Sequence, residues 1–95
     1  MTKDFIMEIE QEAMRFIDEK RKDVKPMISV EALAKEVFPG VPNSRMIIQR
    51  IRKPQANGKT RSLSLGEFTR MAMALKISPL EAYGVVLGRM DETKL

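Results

Sequence analysis

The stretch SVEALAKEVFPGVPNSRMIIQRI, residues 29–51, decides the fold. Its first part spaces apolar residues at i, i+3, i+4 and i+7, which predicts an amphipathic helix with Ser29 as its N-cap. The segment FPGVPNS, residues 38–44, then carries two prolines and a glycine, so it ends that helix and predicts a turn. The next residues, Ser44–Lys53, have the composition of another helix, which a proline ends. The stretch therefore predicts two short helices joined by a turn.

Three more helices are predicted outside this stretch. Residues 4–22 read as a long, acidic, amphipathic first helix with basic residues in its last turn. Helix four begins where Ser64 and Glu67 can form a capping box, and helix five begins in the same way just before Pro79. The residues of helix five predicted to face inward are Leu80, Tyr83 and Leu87.

The whole chain, residues 1–95, is predicted to be one all-α domain of five helices with a frayed tail at 89–95. Ninety-five residues suffice for a single modest core, and no segment alternates apolar and polar residues as a strand would. No apolar run is long enough to span a bilayer, and the acidic N-terminus does not resemble a secretory signal. We therefore expect a cytoplasmic protein without membrane contact.

Catalysis and metal binding are disfavoured by two missing residue types. The chain has no cysteine and no histidine, so disulfides, thiolate metal sites and the most common catalytic bases and nucleophiles are excluded. No glycine-rich phosphate loop and no metal-ligand spacing replaces them. We expect no enzyme activity, no cofactor and no metal.

Positive charge is concentrated in the middle of the chain. Residues 1–19 hold two basic and six acidic side chains, and residues 62–95 hold four of each. Residues 20–61 hold eleven basic and three acidic side chains, for a net charge of +8. Such a distribution is typical of a surface that binds a polyanion, although a solvated basic face would look the same.

Helix three is the candidate contact element. At roughly 100° per residue, Ile47 and Ile51 fall together and are predicted to face the core, with Met46 beside them. The opposite ridge is predicted to face outward and to read DNA bases, because arginine pairs with guanine, glutamine with adenine and an apolar group with the thymine methyl. The predicted base-reading residues are Ser44, Arg45, Ile48, Gln49 and Arg52. Asn43 and Lys53, at the two ends, are predicted to contact phosphates.

The pattern around this helix resembles the Cro/C1-type helix-turn-helix domain of phage and bacterial repressors. Matching features are Ser29 followed by a Leu-Ala pair, a Gly-Val turn at 40–41, and an Ala-Leu-x-Ile-Ser-Pro phrase at 74–79. The likeness covers roughly residues 27–85 and implies a lambda-repressor-like helix-turn-helix core at about 27–87, preceded by an extended first helix. The chain departs from the family in having five residues, not three, between Leu-Ala and the turn glycine.

The resemblance implies a transcriptional regulator that lays helix three in the major groove of double-stranded DNA. It makes Ser29 and Lys35 phosphate contacts, although Ser29 is equally well explained as an N-cap. The basic link to helix four adds Lys59 and Arg61 as phosphate contacts, or is only a solvated loop. It also implies a homodimer, paired through helix one or through Tyr83, Val86 and Leu87 of helix five.

Two other functions remain open at this stage. The acidic first helix and the eight methionines suit a helix-turn-helix scaffold that binds a protein partner, as an antitoxin does. RNA binding is less well supported, because the aromatic platform typical of single-strand readers is missing.

Overall fold

A computed structural model describes residues 3–53 and 61–94. Within these ranges the protein is all-α, as predicted, with no strand. The five described helices are α1 (Lys3–Asp23), α2 (Val30–Val37), α3 (Ser44–Arg52), α4 (Leu65–Ala74) and α5 (Pro79–Lys94).

The helix starts follow the predicted capping chemistry. The Ser29 hydroxyl accepts a hydrogen bond from the Ala32 N–H and caps α2. At α4 the capping box is complete: Ser64 Oγ accepts from the Glu67 N–H, and the Glu67 carboxylate accepts from the Ser64 N–H. At α5 one half of the predicted box is present among the described residues: the Ser78 hydroxyl accepts from the Glu81 N–H at 3.4 Å. Polar side chains therefore satisfy N-terminal N–H groups that a helix leaves unpaired.

The core is formed where α1 lies against the other helices. α1 contacts α3, α4 and α5, while α2 lies against α3 and α4. The apolar spacing of α2 predicted a buried side, which is confirmed at Leu33, Ala34 and Val37, and α4 with its C-cap buries Phe68, Met71, Ala72 and Leu75. On α1 the inward residues are Ala13, Met14, Phe16 and Ile17. A single apolar centre thus joins all five helices.

The connection between α1 and α2 is held by a buried arginine. Arg21 donates from Nε to Asp18 at 3.3 Å and from a guanidinium nitrogen to the carbonyl of Ile28 at 3.0 Å. The Ile28 N–H returns a bond to the Arg21 carbonyl. Arg21 therefore does more than complement the helix dipole: it fixes the linker that leads into α2.

The rotation of α5 differs from the prediction. Ala82, Val86 and Met90 face the core, whereas Leu80, Tyr83 and Leu87 are exposed. The helix also continues to Lys94, through residues expected to fray. Arg89 explains the rotation of α5, because its guanidinium bonds Glu12 at 3.0 Å and Glu19 at 2.8 Å and lies over the Phe16 ring of α1. These contacts fix the side of α5 that meets α1.

Among the described residues, no single helix is long and apolar enough to cross a membrane. α4 together with the part of α5 up to Met90 meets that length and hydropathy, but the two are bent by 117°.

Candidate nucleic-acid interface

The turn between α2 and α3 uses two left-handed backbone positions. Gly40 has φ +78° and Asn43 has φ +57°, conformations that glycine and asparagine tolerate best. Asn43 occupies the N-cap position of α3, and its side chain makes no capping bond there. An open cleft between α2 and the start of α3 brings four predicted contact residues together: Lys35, Asn43, Ser44 and Arg45. The turn thus brings several predicted contact residues together, and the side chain of Asn43 is not engaged in capping α3.

The predicted rotation of α3 was wrong by about 80°. Ile48 is fully buried and Ser44 is 6% exposed, so neither side chain faces outward as the predicted base-reading ridge requires. Ile47 is half-buried and packs against the core, and Ile51 is fully buried as predicted. All three isoleucines fall within about 100° of the helix circumference, and this shared arc was the signal that the prediction missed. The side opposite them is the exposed one.

Arg52 is the second correction on α3. Its guanidinium grips the Asp18 carboxylate of α1 through two bonds, from Nε at 2.9 Å and from Nη2 at 2.5 Å. Both side chains are only 22% exposed. Because both bonds of this bidentate pair are made within the chain, Arg52 is a structural residue that joins α3 to α1.

Arg61, predicted as a phosphate contact, is also engaged within the chain. Its guanidinium bonds both carboxylate oxygens of Glu67 and lies over the Phe38 ring. The hydrogen bond from Arg61 holds the pKa of the Glu67 carboxyl below its usual range, and the pKa of Arg61 is raised by the same contact. Arg61 therefore anchors the start of α4 to the end of α2. Lys59, the other residue predicted on this link, lies outside the described residues.

The surface that α3 presents to solvent is here called the basic face. Its members are Arg45, Met46, Gln49, Arg50 and Lys53. Met46 is 49% exposed and Gln49 is half-buried, while the three cations are exposed. Arg45 and Gln49 were predicted to read bases and Lys53 to contact phosphate. Met46 was predicted to lie beside the core residues, which its exposure contradicts, and Arg50 was not predicted as a contact residue. The face contains no acidic residue.

The cations of the basic face differ from the other arginines in having no internal partner. The arginines that form ion pairs within the chain are Arg15, Arg21, Arg52, Arg61 and Arg89. Arg70 donates to the Val37 carbonyl. Arg45, Arg50 and Lys53 have no side-chain partner in the described part of the chain. Among the described residues, five of the eight arginines therefore form ion pairs, whereas Arg45, Arg50 and Lys53 remain uncompensated together on one helix, as do Lys22, Lys25 and Lys76 elsewhere on the surface.

The two predicted contacts on α2 lie at the surface. Ser29 is exposed, and its hydroxyl proton remains available to a ligand while its oxygen caps the helix. Lys35 is exposed and stands 3.7 Å from Glu31, a loose pair that solvent screens. Both side chains are free to contact a polyanion that approaches α2.

Comparison of the chain with protein-family models, with curated proteins and with solved structures finds no significant match. The function must therefore be inferred from the surfaces of the protein itself.

Proposed function

We propose that this protein binds double-stranded DNA in a sequence-specific manner, as a transcriptional regulator, with the basic face of α3 in the major groove. The observation that supports this most directly is the uncompensated charge of Arg45, Arg50 and Lys53, which lie together on the basic face of a chain in which five other arginines form ion pairs. A surface with several cations and no acid attracts a polyanion from a distance. Duplex DNA is such a polyanion and has a groove of matching size.

The composition of the basic face suits base recognition as well as charge attraction. Arg45 and Arg50 offer planar donors that fit guanine, and Gln49 offers the donor and acceptor pair that fits adenine. Met46 provides an apolar, adaptable contact for a thymine methyl. From Arg45 to Lys53 the helix rises about 12 Å, comparable to the width of the major groove. A helix of this length reads roughly four base pairs, since successive pairs are about 3.4 Å apart.

The surroundings of α3 supply candidates for backbone contacts. Ser29 and Lys35 on α2 lie at the surface, and Lys53 ends the basic face. Asn43 leaves its side chain free beside the first N–H groups of α3, where an anion is favoured. These residues would hold the helix in register while the basic face contacts the bases. The proposed architecture is a Cro/C1-type, lambda-repressor-like helix-turn-helix formed by α2 and α3.

The experiment that tests this proposal is selection of bound duplexes from a random pool, followed by affinity measurements at two salt concentrations. We expect an enriched sequence whose affinity falls steeply as salt rises. Replacing Arg45 or Gln49 with alanine should weaken the enriched sequence by roughly 5- to 150-fold per lost base contact and relax the preference at one or two positions. Lys53→Ala should weaken all duplexes to a similar degree.

A matched control is Lys76→Asn, in the turn between α4 and α5. It removes one positive charge at a left-handed position, φ +60°, which asparagine tolerates. The helices that α3 contacts are α1 and α2, so this turn is not part of the basic face. If the control lowers affinity as much as Arg45→Ala does, or if no sequence is enriched even at low salt, the proposal is wrong.

A further inference from the structure

One buried side chain at the start of α3 has a hydroxyl group without a partner. Ser44 is 6% exposed, and its Oγ makes no hydrogen bond within the described part of the chain. Among the described residues, every completely buried side-chain nitrogen or oxygen has a partner. The Ser44 Oγ must therefore reach solvent, and the open cleft between α2 and α3 is the space that Ser44 lines. An unpaired hydroxyl at the floor of a cleft indicates a ligand that accepts a hydrogen bond.

The backbone around Ser44 favours a negatively charged ligand. Ser44 is the first residue of α3, and no side chain of the described residues caps this N-terminus. The N-cap residue, Asn43, has a left-handed conformation with φ +57° and ψ +36°, and helical residues follow it directly. Residues in this order turn successive N–H groups into one concavity that suits an anion, and the helix dipole adds positive potential there. The hydroxyl and the backbone thus favour the same type of ligand.

The side chains at the rim of the cleft add two positive charges and one negative charge, for a net charge of +1. Lys35 of α2 and Arg45 of α3 are the two cations, and both are exposed. Glu31 is the acid and stands 3.7 Å from the Lys35 ammonium, but the two side chains are 67% and 74% exposed, so water screens this pair. The amide of Asn43 has no partner among the described residues and supplies further donors.

The depth of the cleft distinguishes between two kinds of phosphate. A phosphate of the DNA backbone is a diester with one negative charge and two free oxygens. A terminal phosphate, or monoester, has three free oxygens and a charge of about −1.5 to −2 at neutral pH. Because Ser44 is recessed between the exposed residues Asn43 and Arg45, a ligand must reach inward with one oxygen while other oxygens stay at the rim. A monoester meets this requirement, since only one of its four oxygens is bonded to the rest of the ligand.

The cleft is larger than a phosphate and has an apolar wall. Its volume is about 410 Å³, whereas a water molecule occupies roughly 30 Å³ and a phosphate the space of a few water molecules. The apolar part of the lining is formed by Val41, Pro42 and Met46. Val41 is 45% exposed and Met46 is 49% exposed, so both offer surface to a ligand. An apolar wall beside an anion site suits a ring or a short carbon chain that carries the phosphate.

We propose that this cleft binds a small organic phosphate monoester, with the phosphate at Ser44 and the N-terminus of α3 and the organic part on the apolar wall. The charge of the ligand, close to −2, then lies beside Arg45 at the edge of the basic face. It reduces the potential that attracts DNA and occupies the N–H groups that a DNA phosphate would use. The ligand therefore lowers the affinity for DNA. Binding in the cleft is independent of DNA, whereas this effect rests on the function proposed above.

The binding test is a titration of the isotope-labelled full chain, without DNA and at constant ionic strength, followed by the NMR shifts of its backbone amides. The probe is phenyl phosphate, and its control is methyl phenyl phosphate, a diester with the same ring. We expect saturable shifts at Ser44 and Arg45, with a Kd of about 1 mM or below for the monoester and a value at least about tenfold higher for the diester. A diester that binds as tightly as the monoester overturns the proposal, as does a chain that shows no response to the monoester up to about 20 mM.

Substitutions locate the ligand in the cleft. Ser44→Ala should weaken phenyl phosphate about tenfold without lowering the unfolding temperature, because the hydroxyl has no partner to lose and alanine favours a helix. Lys35→Met should weaken it about threefold, whereas the control Lys76→Asn removes the same charge outside the cleft and should change the Kd by less than about twofold. If Ser44→Ala and Lys35→Met both bind phenyl phosphate like the unchanged chain, the proposal is wrong.

Glu31→Gln is a variant that should gain affinity. It removes the acid of the rim and frees Lys35, so phenyl phosphate should bind about two- to fivefold more tightly. Partial unfolding cannot imitate such a gain. Weaker binding by Glu31→Gln in a fully folded chain contradicts the proposed position of the phosphate.

The effect on DNA is measured with the duplex enriched from the random pool. Saturating phenyl phosphate should lower the affinity for this duplex at least about fivefold in the unchanged chain and much less in Ser44→Ala. If the monoester binds but leaves the affinity for the duplex unchanged, the regulatory part of the proposal is overturned. If the monoester binds and no duplex does, the DNA-binding proposal fails and the ligand site stands. If a duplex binds and the monoester does not, the ligand site fails alone.

Discussion

Two arginines of α3, seven residues apart, should have opposite effects when each is replaced with alanine. Arg52 holds Asp18 through two bonds in a partly buried setting, whereas Arg45 is exposed and has no partner among the described residues. We expect Arg52→Ala to reduce stability and to leave DNA affinity nearly unchanged. We expect Arg45→Ala to do the reverse.

The magnitude for Arg52 follows from its contacts. Hydrogen bonds to charged groups contribute about 1.5–3 kcal/mol each when buried, and exposed ion pairs about 0–1 kcal/mol. The pair is intermediate in exposure, and Asp18 retains a bond from Arg21 after the substitution, so its charge is not left alone. We therefore expect a loss of about 1 kcal/mol, which lowers the unfolding temperature by roughly 5 °C in a domain of this size.

The assay is thermal unfolding by circular dichroism combined with fluorescence titration of the enriched duplex. Arg45→Ala should change stability by less than about 0.5 kcal/mol, as expected for an exposed residue without contacts. If Arg52→Ala lowers DNA affinity as much as Arg45→Ala at a temperature where both are folded, Arg52 must leave Asp18 and reach the duplex. In that case the assignment of Arg52 to the fold is refuted.

Further predictions concern the core and the pH dependence of stability. Ile48→Ala should lower the free energy of unfolding by about 2–5 kcal/mol in urea denaturation, because the side chain is fully buried, and a loss under about 1 kcal/mol would contradict that position. Two carboxyls have a pKa below the ordinary value of 4.5. The pKa of Glu12 is lowered by hydrogen bonds from Arg15 and Arg89, and that of Glu19 by a hydrogen bond from Arg89. Because the folded pKa is the lower one, the stabilisation is full above pH 4.5 and is lost as pH falls through the folded values. The urea midpoint should therefore drop on acidification, and less steeply in Arg89→Met; equal slopes would refute the role of this cluster.

The helices themselves could be predicted because their signals are local. Ser64 and Glu67 lie three residues apart in the sequence and form the capping box in the structure. The buried side of α4, with Phe68, Met71 and Ala72, likewise follows the helical i, i+3, i+4 spacing in the sequence, although Leu65 and Met73 of the same helix are exposed. Local chemistry of this kind needs no knowledge of the neighbouring helices.

The rotations of α3 and α5 could not be derived in the same way. α5 is apolar on several sides, so Leu80 and Val86 were equally acceptable as core residues from the pattern alone. The choice is made by Arg89, whose partners on α1 are 70 and 77 residues away in sequence. On α3, Arg52 lies at the edge of the inward side because it forms an ion pair with Asp18 of α1. Contacts between residues so far apart in the sequence produce no periodic pattern in the sequence.

The acidic character of α1 thus has an internal explanation that the sequence did not reveal. The excess of acids in residues 1–19 suggested a pairing helix, yet Asp18 holds Arg52 of α3 and the neighbouring glutamates hold Arg89 of α5. These acids are used to neutralise cations that the fold brings to α1. The basic face of α3 contains no acidic residue, so no acid on that face offsets the positive potential of Arg45, Arg50 and Lys53.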